Sequence, residues 1–292
     1  CFGRGDEDYS LVEAKVLDAI KKISGHEKIV GLQGSASLAL EIISLNFLYG
    51  KVLIISTGFY SDRLIKIVND AKRLSSEIKE IKIIPFDSLN SISEKFDWIV
   101  SCYTETSRGL KISLEKLKIK ADILKSKIML DATASIGLEN DHNLADVIGF
   151  SSCKGLFGLT GAAFIAYNGK TNNEVNSFYL DLNSHINKLM TGPYHAICSL
   201  YDVLDNHHIH RESVLINKNK FMHKFRKYIT ISKENQPLLC TYTTCEIFAK
   251  EKSAILYKPR GLNKGSVVCH LGEVHLSNNS KGELNNLLLS EN

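Results

Sequence analysis

At 292 residues, with 44% hydrophobic and 23% charged side chains, the chain can bury one large core and a smaller one, and nothing in the balance suggests a disordered, collagen-like or membrane-embedded protein. The formal net charge of +4 is modest, and lysines alternate with acids, as in Glu115-Lys116-Leu117-Lys118. No nucleic-acid partner follows from that pattern. Seven cysteines, an odd number with no CxxC pair, suggest neither a disulfide framework nor a zinc site and suit a reducing cytoplasm. No signal peptide or membrane-spanning apolar run is read, and the chain opens on Cys1 rather than Met, so a native start further upstream is expected.

From about residue 27 to 167, short apolar runs alternate with helical patterns. Strands are predicted at 51–56, 81–84, 98–103, 128–131, 147–151 and 162–166. The uninterrupted Val52-Leu53-Ile54-Ile55 predicts a strand buried on both faces, and with helical spacers this indicates an α/β fold with a mostly parallel sheet. Helices are predicted over 38–48 and 63–71, with Ser37 and Ser61 as N-caps. Beyond Pro193 the pattern predicts one long helix through His210, further helix to Tyr228, and a tail of strands with a last helix. The expected division is a large domain over residues 1–199 and a small α+β domain over 200–292.

Open α/β sheets bind ligands beyond the carboxyl ends of their strands, so the loops after Ser56, Tyr103, Asp131 and Ser151 are expected to carry the chemistry. Leu32-Gln33-Gly34-Ser35-Ala36-Ser37 combines small residues with a helix start, a pattern that suits a phosphate and equally an ordinary serine-rich cap. Asp131 and Lys154 are predicted at the ends of adjacent strands. A lysine that forms a Schiff base and an acid that keeps a pyridine nitrogen protonated are the two groups pyridoxal 5′-phosphate (PLP) requires. Taken singly, each has a plainer reading, a turn-forming Asp and a solvated Lys.

The flanking segments carry a wider likeness. Leu32-Gln33-Gly34-Ser35, Thr57-Gly58-Phe59-Tyr60, Thr104-Glu105-Thr106-Ser107-Arg108-Gly109, Asp131-Ala132-Thr133-Ala134-Ser135, the stretch from Lys154 to Phe164 and Thr191-Gly192-Pro193-Tyr194-His195 resemble, in this order, the class V PLP-dependent aminotransferases. Their fold is PLP-dependent transferase fold type I. The resemblance implies Lys154 as Schiff-base lysine and proton carrier, Asp131 on the pyridine nitrogen, and Tyr60 stacked on the ring. It further implies Ser35, Ala36, Ser37 and Ser152 around the phosphate, Thr106 near the ring hydroxyl, and Thr191 reaching the phosphate of a neighbouring subunit in a homodimer. The implied reaction moves an amino group from a small amine, 2-aminoethylphosphonate, to a 2-oxo acid such as pyruvate. No metal, nucleic acid or membrane enters that expectation.

Three positions depart from the class. Its opening Thr-Pro-Gly-Pro segment has no counterpart before Cys1, its Asn or Gln before the lysine is Cys153, and its anion-binding Arg falls near Val267, which cannot form a charged fork. Arg260 or Lys264 is the expected substitute. A PLP-dependent lyase, amino transfer from another amine, and a catalytically impaired dimeric scaffold stay open as alternative readings. His207, His208 and His210 are assigned no role, because their helical context suggests a partly exposed surface.

Overall fold

Continuous apolar strands need helices on both sides, and the computed structural model, which describes residues 5–248, 256–257, 264–271 and 290–291, supplies them. The first half runs α1 (Glu7–Ser24), β1 (Lys28–Gln33), α2 (Ala36–Asn46), β2 (Gly50–Ser56), α3 (Phe59–Leu74), β3 (Ile78–Pro85), β4 (Trp98–Cys102), a short hairpin of β5 (Thr104–Glu105) and β6 (Leu110–Lys111), and α4 (Leu114–Leu124). It continues through β7 (Lys127–Asp131), β8 (Val147–Ser151), β9 (Ala162–Tyr167), α5 (Leu182–Ile186), α6 (Tyr194–Leu204) and α7 (His207–Phe225). Last come β10 (Cys240–Thr243), β11 (Ile247–Phe248), β12 (Leu256–Tyr257), β13 (Ser266–Cys269) and β14 (Ser290–Glu291).

Seven strands form one sheet in the order β1-β9-β8-β7-β4-β2-β3. The five strands from β8 to β3 are parallel neighbours, whereas β9 is antiparallel to both β1 and β8. Successive residues point to opposite faces. Leu53 and Ile55 therefore face the core shared with Val16 and Ile20 of α1, Leu117 of α4 and Leu200 of α6. Val52 and Ile54 face Leu40 and Ile43 of α2 and Leu64 and Val68 of α3. The fold is α/β, with a mostly parallel sheet between two helical layers.

Some predicted bounds shift. β1 is an additional strand: Gly31 interrupts its apolar run, which weakens the sequence signal, and pairing with β9 supplies the missing stability. The first turn of α2 begins at Ala36 with Ser35 in the cap position, so Ser37 is already helical. α3 begins at Phe59, and Ser61 sits inside its first turn, where its hydroxyl accepts from the Thr57 and Gly58 amides at 2.8 and 2.9 Å. The single helix expected from Pro193 to His210 is broken after Leu204. Its two pieces bury different faces: α6 packs Ile197 and Leu200 with α1 and the sheet, while α7 directs Val214 toward β10 and β13 and Phe221 and Phe225 toward Ile247 and Val268.

Beyond α7, β10, β13 and β12 make a three-stranded antiparallel sheet. Its core includes Ala134 and Phe157 from the loops after β7 and β8, packed with Val214, Leu239, Cys240 and Val267. The carboxyl edge of the large sheet is thus seated directly on the C-terminal strands.

Candidate active site

Asp131 ends β7, and Lys154 follows β8 by three residues. Because β7 and β8 are parallel neighbours with Asp131 opposite Gly149, both side chains arise from one edge of the sheet. The two loops lock together through close backbone contact. A Cβ on Gly155 would stand 2.1 Å from the Ile136 carbonyl oxygen, and one on Gly137 would stand 2.4 Å from the Gly155 carbonyl oxygen. Lys154 itself adopts a left-handed φ of 57°, an uncommon conformation for a residue with a Cβ and one that recurs at functional sites.

Asp131 is 5% exposed. Its Oδ1 accepts from the Thr133 amide at 2.9 Å and from the Thr133 hydroxyl, so one oxygen is fixed and Oδ2 is left for other partners. Arg63 Nη2 lies 3.6 Å from Oδ2, and the Cys102 thiol reaches it at 3.8 Å. Burial, reinforced by the charge of Asp131, pushes the Cys102 thiol well up from its ordinary value, which keeps it a neutral, weak donor.

Tyr60 opens toward the same space. Lys154 Nζ lies 5.5 Å from its ring centroid, and the Arg63 guanidinium carbon lies 5.2 Å from it. Tyr60 is placed by Glu105, a buried carboxylate from the short hairpin. Glu105 accepts from the Tyr60 and Ser61 amides at 3.0 and 3.1 Å and from Ser107, neutralising the positive end of α3. Thr106 sits in the turn of that hairpin, where its carbonyl faces the Cys240 thiol at 3.9 Å. The same turn lies against β10: a Cβ on Gly109 would come within 2.6 Å of the Tyr242 nitrogen. Arg108 emerges exposed beside the start of α3, donating from Nη1 to the Thr57 carbonyl at 3.3 Å.

The remaining predicted residues are distributed as follows. Ser35, Ala36 and Ser37 form the start of α2, and Ser35 makes no side-chain cap hydrogen bond. The Leu38 amide donates to the Ser35 carbonyl at 2.9 Å, which leaves the Ala36 and Ser37 amides for an anion. Gly34 donates to Gly161 at 3.0 Å, and Ser152 donates from its amide to Ala162 at 3.0 Å, so the loop between β8 and β9 links the phosphate-type turn to the lysine. The Ser152 hydroxyl is engaged within that loop by Leu159 and Ala162. Thr191 is exposed and lines a pocket of about 290 Å³ with Tyr9, Gly31, Gln33 and Tyr194. Lys264 is exposed, and its carbonyl accepts from the Tyr242 hydroxyl at 3.3 Å; Arg260 lies outside the described residues. Val267 is 2% exposed and belongs to the apolar core.

Thr133, Glu105, Arg63 and Arg108 carry no predicted role, and His207 is assigned none. Only Thr133 had a local signal, the Asp-x-Thr spacing of a side-chain-to-amide turn. His207 is partly exposed, as expected, and it also makes contacts: its Nε2 lies 2.8 Å from the Gly155 carbonyl and its ring packs on Phe157. A carbonyl accepts only, so Nε2 carries the proton.

The arrangement fits a planar cationic ring with a phosphate. An aromatic face, a lysine and a half-satisfied buried carboxylate surround one space, and Arg63 Nε and Thr104 Oγ1 are buried polar atoms with no hydrogen-bond partner among the described residues. No candidate metal cluster occurs among the described residues, and none of their helices is long and apolar enough to cross a membrane.

Comparison with known proteins agrees with that geometry. No family model matches the chain. A 2-aminoethylphosphonate–pyruvate transaminase of Pseudomonas aeruginosa is 27% identical over 231 residues, 70% of this chain and 62% of the relative, in each of two strains. The chain therefore spans less than two thirds of the length of these curated relatives. Among solved structures, an aspartate aminotransferase of Thermus thermophilus matches with a TM-score of 0.81 at 16% identity, over 98% of this chain and 91% of that one. A pyridoxamine–pyruvate aminotransferase of Mesorhizobium loti matches with a TM-score of 0.74 at 17% identity, over 98% and 86%. The chain has the fold of the PLP-dependent aminotransferases and resembles in sequence the 2-aminoethylphosphonate–pyruvate transaminases.

Proposed function

We propose that the chain is a PLP-dependent aminotransferase that moves an amino group from a small amine with an anionic tail, 2-aminoethylphosphonate, to a 2-oxo acid such as pyruvate. The observation that carries the reading is the convergence of Lys154 Nζ and the Asp131–Arg63 pair around the Tyr60 ring. PLP, when bound, supplies an electron-poor ring that makes a proton on the carbon of the amine removable.

The chain's own side chains do the rest. Lys154 Nζ takes that proton and returns it, serving first as base and then as acid. Asp131 Oδ2 holds the ring nitrogen while Thr133 fixes Oδ1. Tyr60 would cover one face and exclude water from it. Ser35, Ala36 and Ser37 would hold the phosphate at the start of α2, Ser152 shapes the loop beside them, and Thr106 would serve the ring hydroxyl.

Thr191 acts across a homodimer. Exposed apolar side chains near it in sequence, Phe178, Tyr179, Ile186 and Leu189, support a face covered by a second copy. We keep the division into residues 1–199 and 200–292 as part of this reading; the cofactor residues then belong to the first unit, at the edge where Thr106 and Gly109 meet β10. Unpaired thiols at Cys102, Cys153, Cys240 and Cys269 suit a reducing cytoplasm. For the anionic tail, Arg108 joins Arg260 and Lys264 as a candidate, because it is exposed and borders the start of α3.

The test is direct. The full chain, loaded with PLP and mixed with 2-aminoethylphosphonate and pyruvate, should form alanine. Arg108→Ala should raise KM for the phosphonate about tenfold to a hundredfold and leave the cofactor spectrum unchanged, as loss of a charge-assisted hydrogen bond implies. Loaded protein that forms no alanine would remove the substrate assignment.

A further inference from the structure

We infer that Arg63 is a positioning residue of this site: its guanidinium holds Asp131 and Tyr60 in the arrangement that receives the ring nitrogen. The inference rests on the PLP reading above and extends it to a residue outside the motif assignments.

Asp131 is a buried carboxylate, and Arg63 is the cation within 4 Å of it among the described residues. A buried charge left alone is costly, and breaking such a pair costs more than the pair contributes. Arg63 also leans on Tyr60, with its guanidinium carbon 5.2 Å from the ring centroid. It lies one helical turn after Tyr60 on α3, the spacing that brings two side chains onto one face. One arginine therefore ties the stacking residue, on a helix, to the carboxylate, on a strand end.

The geometry leaves Oδ2 available. At 3.6 Å the Arg63 contact is longer than a charge-assisted hydrogen bond of about 2.8 Å. Arg63 thus supplies charge and orientation without saturating the oxygen. Its Nε is buried with no acceptor among the described residues, so the guanidinium is held mainly by Asp131 and the Tyr60 face rather than by a full set of hydrogen bonds.

The test compares wild type, Arg63→Met, Arg63→Lys, Asp131→Asn and the Arg63→Met/Asp131→Asn double variant in two measurements. Equilibrium titration with PLP, followed by absorbance, should show at least tenfold weaker binding in Arg63→Met and partial recovery in Arg63→Lys. Thermal unfolding without cofactor should show that Arg63→Met lowers Tm in the wild-type background and has little effect in the Asp131→Asn background, a coupling that simple packing would not give. Tighter PLP binding by Arg63→Met would mean that Arg63 competes for Oδ2, and unchanged binding that it acts elsewhere; either overturns the inference while the PLP reading stands. An equal loss of Tm in both backgrounds would also overturn it. Failure of wild type and all variants to bind PLP would overturn the cofactor reading and this inference together.

Discussion

Thr133 shows how much of the site depends on one short contact. Its amide and hydroxyl both address Asp131 Oδ1, and a hydrogen bond to a charged group is worth about 1.5–3 kcal/mol. Thr133→Val keeps the shape and the amide but removes the hydroxyl. PLP affinity should fall about tenfold in an absorbance titration, with Tm changed by only a few degrees; unaltered affinity would show that the amide alone fixes the carboxylate. Lys154 and Asp131 were legible in the sequence because chemistry and strand-end placement agreed. Arg63 and Glu105 were not. Their partners lie 68 and 45 residues away, respectively, and no local spacing encodes such pairs. The misplaced cap at Ser37 has a similar cause, since Ser35 and Ser37 are chemically equivalent until tertiary contacts choose one; Ser61 is displaced because α3 begins at Phe59, with Gly58 in the cap position.

At the scale of elements, the site depends on two loops pressed together at Gly137 and Gly155. Gly155→Ala would place a methyl group 2.1 Å from the Ile136 carbonyl oxygen, so backbone must shift, at a cost of about 1–3 kcal/mol or more. The expected outcome is a clearly lower Tm and weak PLP loading; normal loading would mean that the loops can separate without disturbing Lys154. His207 braces the same turn from α7. His207→Phe keeps an aromatic ring on Phe157 but leaves the Gly155 carbonyl without its donor, and should lower stability by about 1–2 kcal/mol in denaturant unfolding. No loss would assign that carbonyl another partner. The parallel strands were readable from apolar runs, whereas the break between α6 and α7 was not, because it follows from two helices burying faces in different cores. The anion-binding charge expected at Arg260 or Lys264 belongs to this scale too: Lys264 is exposed, and Arg260 lies outside the described residues. The sequence marked Val267 as a departure from the class, and only the fold places that position in an apolar core with Arg108 emerging beside α3.

Across the whole molecule, buried histidines set the response to acid. Burial lowers His26 and His207 from their ordinary values and takes His142 and His270 to about 3. Between pH 6.5 and those lowered values the unfolded chain binds protons that the folded chain does not. Stability therefore falls as pH falls through this window. Tm should drop from pH 7.5 to pH 5, and the slope should flatten in His142→Asn; a Tm independent of pH over that range would contradict the neutral, buried state of these rings. The homodimer proposal belongs to the same scale, and light scattering on the purified chain should give twice the monomer mass. A monomer that still forms alanine would remove Thr191 from the phosphate site.

The central claim is that Lys154 is the covalent anchor of the cofactor, and reduction with borohydride followed by peptide mass spectrometry addresses it without any assumption about substrate. The PLP-treated full chain should yield one stably modified peptide, the one containing Lys154, and Lys154→Ala should yield none there. Modification confined to another lysine, or none after saturating PLP, would contradict the account.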